Sequence, residues 1–498
     1  MAVLAAMSAN LDDVPLQRGG CRALRVLATD SDQNQAAIAA AGGIGAVLAA
    51  TRAHADDAMQ RHSHGALRAL AGSSAERQVS IVEALLEEMR ARPADAAAQG
   101  RSCEALRQLL PAANGPGNNT SGASNAVRIA GGIGTILAAM TAHAADAALL
   151  EPACRALWQL SRNDQNRATM AAEGATERVL AALREHTGAE AVLGAGLAAL
   201  GNLACLDCGT AAIASASGME VVLAAMRAPA GDAECVQLSG CGLLRNLTTG
   251  TEGQAALVAA GAMEVVLSAM RTHTTSAPVQ TMGCYVLRNV TCPSPSADAN
   301  CSAIATAGGV EAVVAAMSLH ESDAEVQVAG CCALRNLAVN AQNKITIASA
   351  GGIELLMAAL HAHVDSVEVQ RGACIALWNL AVNAQNQVAI AAAGGIEAVL
   401  AAMAAHADDG IVQRHGCGAL ALLAAHGLDS SAILEAVRAA IVSRHRSDPE
   451  LLRLGRQVLQ ILNGHSDEWI CQACTYTNCG TRSTCEMCST SRSAPTFR

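Results

Sequence analysis

The sequence predicts an all-α solenoid of about ten three-helix repeats, followed by a small cysteine-rich module at the C-terminus. Three observations predict this architecture. One pattern recurs at intervals of about 43 residues through most of the 498-residue chain. Apolar residues make up 52% of the chain but aromatic residues only 1%, so burial must come from many close contacts between helices rather than from bulky rings. Two closely spaced cysteine pairs lie near the C-terminus.

The repeat is clearest in residues 326–360 and 369–403, which match almost residue for residue. One position of the pattern marks each of the ten repeats. The markers are Cys21, His64, Cys103, Cys154, Leu197, Cys241, Cys284, Cys331, Cys374 and Cys417. A period in this range is typical of a helical solenoid.

Each repeat is predicted to contain three helices. In the ninth repeat these helices are expected at 343–350, 353–361 and about 367–382. Gly351 and Gly352 separate the first two, because a sharp turn between helices favours a positive φ. The chain opens inside a repeat, since residues 2–7 align with residues 398–403. The first repeat is therefore expected to lack its first helix.

These repeats resemble the armadillo family, through the motif V-Q…A-L-R-N-L-A…G-G-I over about residues 2–425. The resemblance implies a right-handed superhelix whose third helices line a concave groove. Residues 1–425 are accordingly assigned to the repeats and 426–463 to a degenerate, more charged capping repeat. Residues 464–498 form the separate C-terminal module.

Polar side chains recur at two adjacent positions of the third helix, on either flank of the face opposite the buried arc. The second position holds Asn202, Asn246, Asn289, Asn336 and Asn379, and the first holds Arg245, Arg288, Arg335 and Trp378. An amide offers both a donor and an acceptor, so a row of them can bind an extended peptide backbone. The alternative is that the Asn side chains cap local backbone and the Arg side chains are only solvated.

The family resemblance restricts the chemical class of ligand that the groove is expected to bind. Armadillo proteins of the importin-alpha type carry a Trp four residues before each groove Asn. The equivalent residues here are Ala198, Gly242, Tyr285, Cys332 and Ile375, which argues against a nuclear-transport-type adaptor. The Arg row is more similar to the groove of beta-catenin and implies an acidic extended ligand.

Two other recurrent residue types have structural explanations. The marker cysteines are predicted to be buried thiols without disulfides, because equivalent residues of neighbouring repeats should lie about 8–10 Å apart. Histidines recur just past the second helices, at His54, His143, His186, His273, His320, His363 and His406. They are expected to face the negative ends of those helices rather than to bind a metal.

The C-terminal module contains Cys471, Cys474, Cys485 and Cys488, two C-x2-C pairs separated by ten residues. Four thiolates at this spacing can bind one Zn²⁺ tetrahedrally. A segment this short buries no core of its own, so metal binding would supply its folding energy. The sequence therefore predicts one structural zinc ion.

Residues 467–492 resemble the zinc finger of the Ran-binding protein 2 type, with that family's Trp and Asn at Trp469 and Asn478. One branch of the family binds ubiquitin through a Thr-aromatic pair and an apolar residue, which match Thr475, Tyr476 and Met487 here. The other branch binds single-stranded RNA through Arg residues and a stacked Trp, and this loop has no aromatic residue. Ubiquitin is the favoured partner, with another protein or RNA as alternatives.

Composition and motifs exclude several function classes. A net charge of −10 argues against general nucleic-acid binding and against a polybasic membrane surface, and no transmembrane segment is predicted. No nucleophile motif, phosphate loop or carboxylate pair occurs. The chain has nineteen cysteines. In so long a chain they favour a reducing compartment, either the cytoplasm alone or the cytoplasm together with the nucleus.

The sequence thus predicts a non-catalytic, monomeric adaptor. Its groove would bind an extended segment of a partner protein, and its zinc finger would bind ubiquitin or another protein. An RNA-associated factor and a nuclear-transport-type adaptor are the alternatives.

Overall fold

The computed structural model of the chain describes residues 1–54, 56–110, 122–292, 296–424, 430–442, 448–463, 469–470 and 477–478. Within these residues there are thirty α-helices and two short strands. They form two compact bodies, Met1–Ala262 (the N-terminal body) and Met263–Arg498 (the C-terminal body). The predicted all-helical repeat architecture is confirmed for the part of the chain that is described.

The helices follow one another in repeat order. The first three repeats contain Ala2–Ala9 and Val14–Ala28, then Asp32–Ala40, Gly43–Ala53 and Asp57–Ala71, then Ala75–Ala91 and Ala96–Leu109. The next three contain Gly122–Ile129, Gly132–Ala142 and Ala147–Leu160, then Asp164–Ala172, Ala175–Glu185 and Glu190–Leu203, then Asp207–Ala214, Ala216–Arg227, the 3₁₀ turn Pro229–Asp232 and Glu234–Leu247.

The remaining repeats are more regular. They contain Thr251–Ala259, Ala262–Thr272 and Ala277–Val290, then Ala297–Thr306, Gly309–Leu319 and Ala324–Leu337, then Ala341–Ser349, Gly352–Ala362 and Val367–Ala381, then Ala384–Ala392, Gly395–Ala405 and Gly410–Leu423. Two further helices, Ser430–Val442 and Pro449–Asn463, cover the last repeat. The strands Trp469–Ile470 and Thr477–Asn478 pair antiparallel.

The glycine pair between the first two helices has two separate functions. In the ninth repeat the axes of these helices bend by 73°. Gly351 adopts φ 84° and ψ 15°, a left-handed conformation that strains other residues. Gly352 allows a close approach, because a Cβ there would lie 2.5 Å from Cγ2 of Ile347 and 2.8 Å from its carbonyl oxygen. The predicted turn is therefore confirmed, and both glycines are needed.

The third repeat departs from the three-helix prediction. It contains one continuous helix, Ala75–Ala91, where the second repeat and the fourth to tenth repeats have two. No Gly interrupts this segment, and the chain has no residue there that readily adopts a positive φ. The first and second helices therefore fuse, and the prediction of three helices is wrong for this repeat.

The marker position lies in the core. The eight marker cysteines are free thiols and all are buried, as predicted. Burial raises the pKa of Cys374 and of Cys284 to about 12, because the charged thiolate would lose its hydration. These thiols therefore stay protonated near neutral pH and act as small apolar side chains.

His64 is the polar exception among the markers. Its side chain is buried, and its Nε2 has no hydrogen-bond partner among the described residues. Burial lowers the pKa of His64 to about 4, since the protonated ring would be poorly solvated. Glu104 raises this pKa, whereas Arg107 and Arg101 lower it further. The ring is therefore neutral at pH 7.

A buried glutamine joins the second and third helices within a repeat. In the ninth repeat, Nε2 of Gln370 donates to the carbonyls of Leu360 and His363, at 2.9 and 3.0 Å. Both acceptors lie at the end of the second helix, where the last carbonyl groups have no donor within the helix. Equivalent bonds are made by Gln17, Gln99, Gln237, Gln280, Gln327 and Gln413.

The recurrent histidines stand at the ends of the second helices, as predicted, and they also join neighbouring repeats. Nε2 of His363 lies 2.7 Å from the carbonyl oxygen of Glu321, and Nε2 of His406 lies 2.7 Å from that of Val364. Each acceptor directly follows the histidine of the preceding repeat. These side chains therefore contribute to the stacking of repeats.

Among the described residues, no single helix is both long and apolar enough to cross a membrane. Six pairs of the described helices, each bent at its glycine break, would meet that criterion together by length and composition alone.

Candidate functional site

The third helices of the C-terminal body pack side by side in chain order, from Ala277–Val290 through Ala324–Leu337 and Val367–Ala381 to Gly410–Leu423. Equivalent positions therefore form rows across this body. The surface formed by Tyr285, Arg288, Arg335, Trp378 and His415 is called the third-helix face below. None of these five side chains is fully buried.

The asparagine row lies deeper than predicted. Asn289 is 8% exposed and Asn336 is 6% exposed. Nδ2 of Asn336 donates to the carbonyl oxygen of Arg288 at 2.8 Å, and Nδ2 of Asn379 donates to that of Arg335 at 2.9 Å. Each amide therefore links its own third helix to the preceding one. The Nδ2 donor of each amide is therefore already bonded within the protein instead of being offered to an extended peptide.

The same link occurs in the N-terminal body. Nδ2 of Asn246 donates to the carbonyl oxygen of Gly201 at 2.8 Å, and Nδ2 of Asn202 donates to Oγ of Ser161 at 3.0 Å. Arg245, beside Asn246, is exposed. The Asn row is thus a structural element that joins repeats in both bodies.

The arginines of the third-helix face are held in place and keep free donors. Nε of Arg288 donates to Oδ1 of Asn289, and Nε of Arg335 donates to Oδ1 of Asn336, both at 3.1 Å. The guanidinium of Arg288 also lies 5.1 Å from the centre of the Tyr285 ring, a favourable cation–π distance. Neither arginine forms an ion pair with a described carboxylate. The face is therefore positively charged.

Trp378 replaces arginine in the next row. A Cβ on Gly418 would lie only 2.8 Å from Cε2 of Trp378, so the indole packs directly against the backbone of the next third helix. The His415 ring lies 5.2 Å away, centre to centre, at an angle of 59°. Gly418 is thus the residue that makes room for the indole.

His415 is neutral at pH 7. Burial lowers its pKa, and the charges of Arg414 and Arg335 lower it further, against the opposing effects of Asp448 and of the carbonyl of Ile411. Nδ1 of His415 lies 2.7 Å from that carbonyl oxygen. Beside Trp378, the ring therefore contributes an uncharged aromatic surface.

Two arginines on third helices of the N-terminal body form ion pairs with glutamates of their own helix. Arg107 contacts Glu104 at 2.5 Å, and Arg155 contacts Glu151 at 3.2 Å. These four side chains line a cleft of about 560 Å³ between third helices. Because Arg107 and Arg155 each have a local carboxylate partner, these two arginines attract an acidic ligand less strongly than Arg288 and Arg335 do.

Sequence reasoning missed His415 and Gly418 and treated Tyr285 only as the absence of Trp. The sequence does contain a signal for this packing. A Gly directly follows the marker in the repeat that comes after one with a bulky residue at the Arg position. Arg25 lies over Gly65 in the same way, since a Cβ there would meet its Cδ at 2.9 Å.

The residues of the predicted zinc site, Cys471, Cys474, Cys485 and Cys488, lie outside the described residues. So do the predicted ubiquitin contacts, Thr475, Tyr476 and Met487. The two strands that flank the first cysteine pair are described, with Trp469 opposite Asn478 and Ile470 opposite Thr477. No group of three or more His, Cys, Asp or Glu side chains within the described residues is arranged to bind a metal.

The inter-repeat bonds predict a stability effect. Replacing Asn336 and Asn379 by alanine removes two donors and leaves the carbonyls of Arg288 and Arg335 with one partner fewer. We expect a loss of about 1–3 kcal/mol in the free energy of unfolding, measured by urea denaturation followed by circular dichroism. The control is Gln342→Ala, an exposed residue of the first helix. An unfolding midpoint equal to that of the wild type would contradict this structural role.

Comparison with known proteins agrees with the fold. No curated protein matches the chain by sequence. A solved chain from work on a phosphorylation switch that controls the interaction between cadherin and beta-catenin is similar in structure. It is 17% identical, with a TM-score of 0.66, over 93% of this chain and 90% of that chain. An engineered protein is 23% identical with a TM-score of 0.44, over 50% of this chain and 98% of that one.

The armadillo-type architecture predicted from the repeats is therefore confirmed by structure. At the sequence level, residues 135–461, about two thirds of the chain, match the family described as LRRK2 ARM repeat. The chain belongs to the LRRK2 ARM repeat family.

Proposed function

We propose that this chain is a non-catalytic adaptor that binds an extended segment of a partner protein on its third-helix face. The observation that carries the proposal is the pair of arginines, Arg288 and Arg335, held at one register without a carboxylate partner among the described residues. Positive charges without partners on neighbouring helices favour a ligand that supplies the negative charge.

The amides have a smaller part in this proposal than the sequence suggested. Asn336 and Asn379 each give one donor to the preceding repeat. Their main effect is to hold the third helices, and hence the arginines, at a regular spacing. Binding energy would come from charge-assisted hydrogen bonds to Arg288 and Arg335, which are stronger than bonds between neutral groups.

The second part of the proposal concerns the C-terminal module. We propose that Cys471, Cys474, Cys485 and Cys488 hold one zinc ion and that Thr475, Tyr476 and Met487 contact ubiquitin or another protein. The donor set supports it, because four thiolates in two C-x2-C pairs form a closed structural site. The strands Trp469–Ile470 and Thr477–Asn478, which pair antiparallel, stand on either side of the first cysteine pair in the sequence.

The proposed binding of a partner segment on the third-helix face predicts that binding depends on charge. Replacing both Arg288 and Arg335 by glutamate should weaken binding of a fluorescein-labelled peptide of alternating aspartate and serine by about tenfold or more. The measurement is fluorescence anisotropy on the full chain. Higher ionic strength should weaken wild-type binding, because salt screens exposed charges.

The matched control has the same change in net charge at another surface. Arg184 and Arg227 are exposed near the ends of second helices, so the double glutamate variant there should bind the peptide almost as well as the wild type. Equal losses in both variants would mean that only net charge matters. A wild type that binds the lysine counterpart as tightly as the aspartate peptide would refute the proposal.

A further inference from the structure

The third-helix face carries its side chains in a fixed order. Arg288, Arg335 and Trp378 occupy the same position of three successive third helices, and these helices pack as neighbours. A ligand that lies across them meets a positive charge, a second positive charge and then an aromatic ring.

The two arginines present donors rather than closed ion pairs. Each uses its Nε for the neighbouring asparagine, which leaves the terminal nitrogens of both guanidinium groups for a carboxylate. Arg335 lies near enough to His415 for its charge to affect the pKa of that ring. The aromatic pair therefore lies within electrostatic range of this guanidinium.

The tryptophan is arranged to contact an apolar group. One side of the indole packs on Gly418, and His415 packs against it at an angle. The indole remains partly exposed. A rigid, half-exposed aromatic ring with a neutral neighbour offers contact area for a large side chain at a low entropic cost.

We propose that the third-helix face selects an extended segment in which two acidic side chains are followed, at equal intervals, by one large apolar side chain. The acidic side chains bind Arg288 and Arg335, and the apolar one packs on Trp378. This inference rests on the proposed function and adds the order of the ligand's side chains. Packed helices lie about 8–10 Å apart. An extended segment in the polyproline II conformation rises about 3.1 Å per residue and completes a turn every three residues, so side chains at intervals of about three residues face the same way and match the spacing of the helices.

The test uses four fluorescein-labelled peptides and the full chain. The first carries two aspartates and one phenylalanine at intervals of three, in a background of serine and glycine. The second replaces the phenylalanine by serine, the third moves it between the aspartates, and the fourth reverses the order of the first. We expect the first or the fourth, according to the direction of binding, to bind about tenfold more tightly than the second and the third.

Two variants separate this specificity from a purely structural role. Trp378→Arg restores the residue found at this position in other repeats, and we expect it to lose the preference for phenylalanine and to prefer a third aspartate in its place. Gly418→Ala leaves all three ligand-contacting side chains intact but displaces the indole. It should reduce the preference for phenylalanine and keep that for aspartate. The control, Trp158→Arg, lies at the same repeat position of the N-terminal body and should preserve both preferences.

The outcomes distinguish two failures. If the acidic peptides bind the wild type equally well with phenylalanine or serine, the proposed order is refuted and the adaptor function stands. If no acidic peptide binds, the proposed function fails together with this inference. A Trp378→Arg variant that keeps the wild-type melting temperature and the wild-type peptide preferences would also refute the role of the indole.

Discussion

Replacing Cys474 and Cys485 by serine is expected to abolish zinc binding, from one ion per chain to nearly none. Each substitution removes a ligand from a different C-x2-C pair, so neither pair stays intact. Zinc supplies roughly 10–16 kcal/mol to the folding of comparable small modules, and the finger should therefore unfold without it. The measurement is metal analysis of the dialysed full chain, with NMR of the finger resonances as the structural readout.

Cys479→Ser is the matched control, because this fifth thiol lies between the pairs and outside the predicted ligand set. It should keep its zinc. Thr475→Ala with Tyr476→Ala should also keep zinc but lose the ubiquitin-induced shifts in an NMR titration. A wild-type protein without zinc, or an equal loss of zinc in Cys479→Ser, would refute the assignment of ligands. Ubiquitin shifts that persist in the double alanine variant would refute the assigned contacts.

Replacing His64 by leucine is expected to make the N-terminal body more resistant to acid. The pKa of His64 is lowered from 6.5 to about 4 in the folded protein. The unfolded chain therefore binds a proton that the folded protein rejects as the pH falls below about 6.5, and stability declines until about pH 4. The full effect is about 3 kcal/mol. Leu197 stands at the same marker position in the fifth repeat, so leucine suits this environment.

The measurement is the urea midpoint of wild type and variant at pH 7.5, 5.5 and 4.5. The difference between them should grow as the pH falls. His62→Gln serves as the control, because His62 lies two residues away on the same helix and is more exposed. A constant difference at all three pH values would mean that His64 titrates normally in the folded protein.

The sequence alone determined the repeat architecture, because its signals are local. The helical spacing of apolar positions and the glycine pairs each act within a few residues of themselves, and their recurrence about every 43 residues marks each repeat. Gly351 and Gly352 appear between the first two helices where they were predicted, and the marker cysteines are buried. The same logic explains the one error, since Ala75–Ala91 lacks the glycine that would have divided it.

Only the tertiary structure decided what the recurrent polar side chains do. Asn336 bonds to a carbonyl 48 residues earlier in the chain, and Asn379 to one 44 residues earlier. The indole of Trp378 packs on Gly418, one repeat further on. A helical wheel places each side chain on a face of its own helix, but the partner comes from a neighbouring repeat, the preceding one for the asparagines and the next one for Trp378. How neighbouring helices stack therefore decides whether a polar group is bonded internally or left for a ligand.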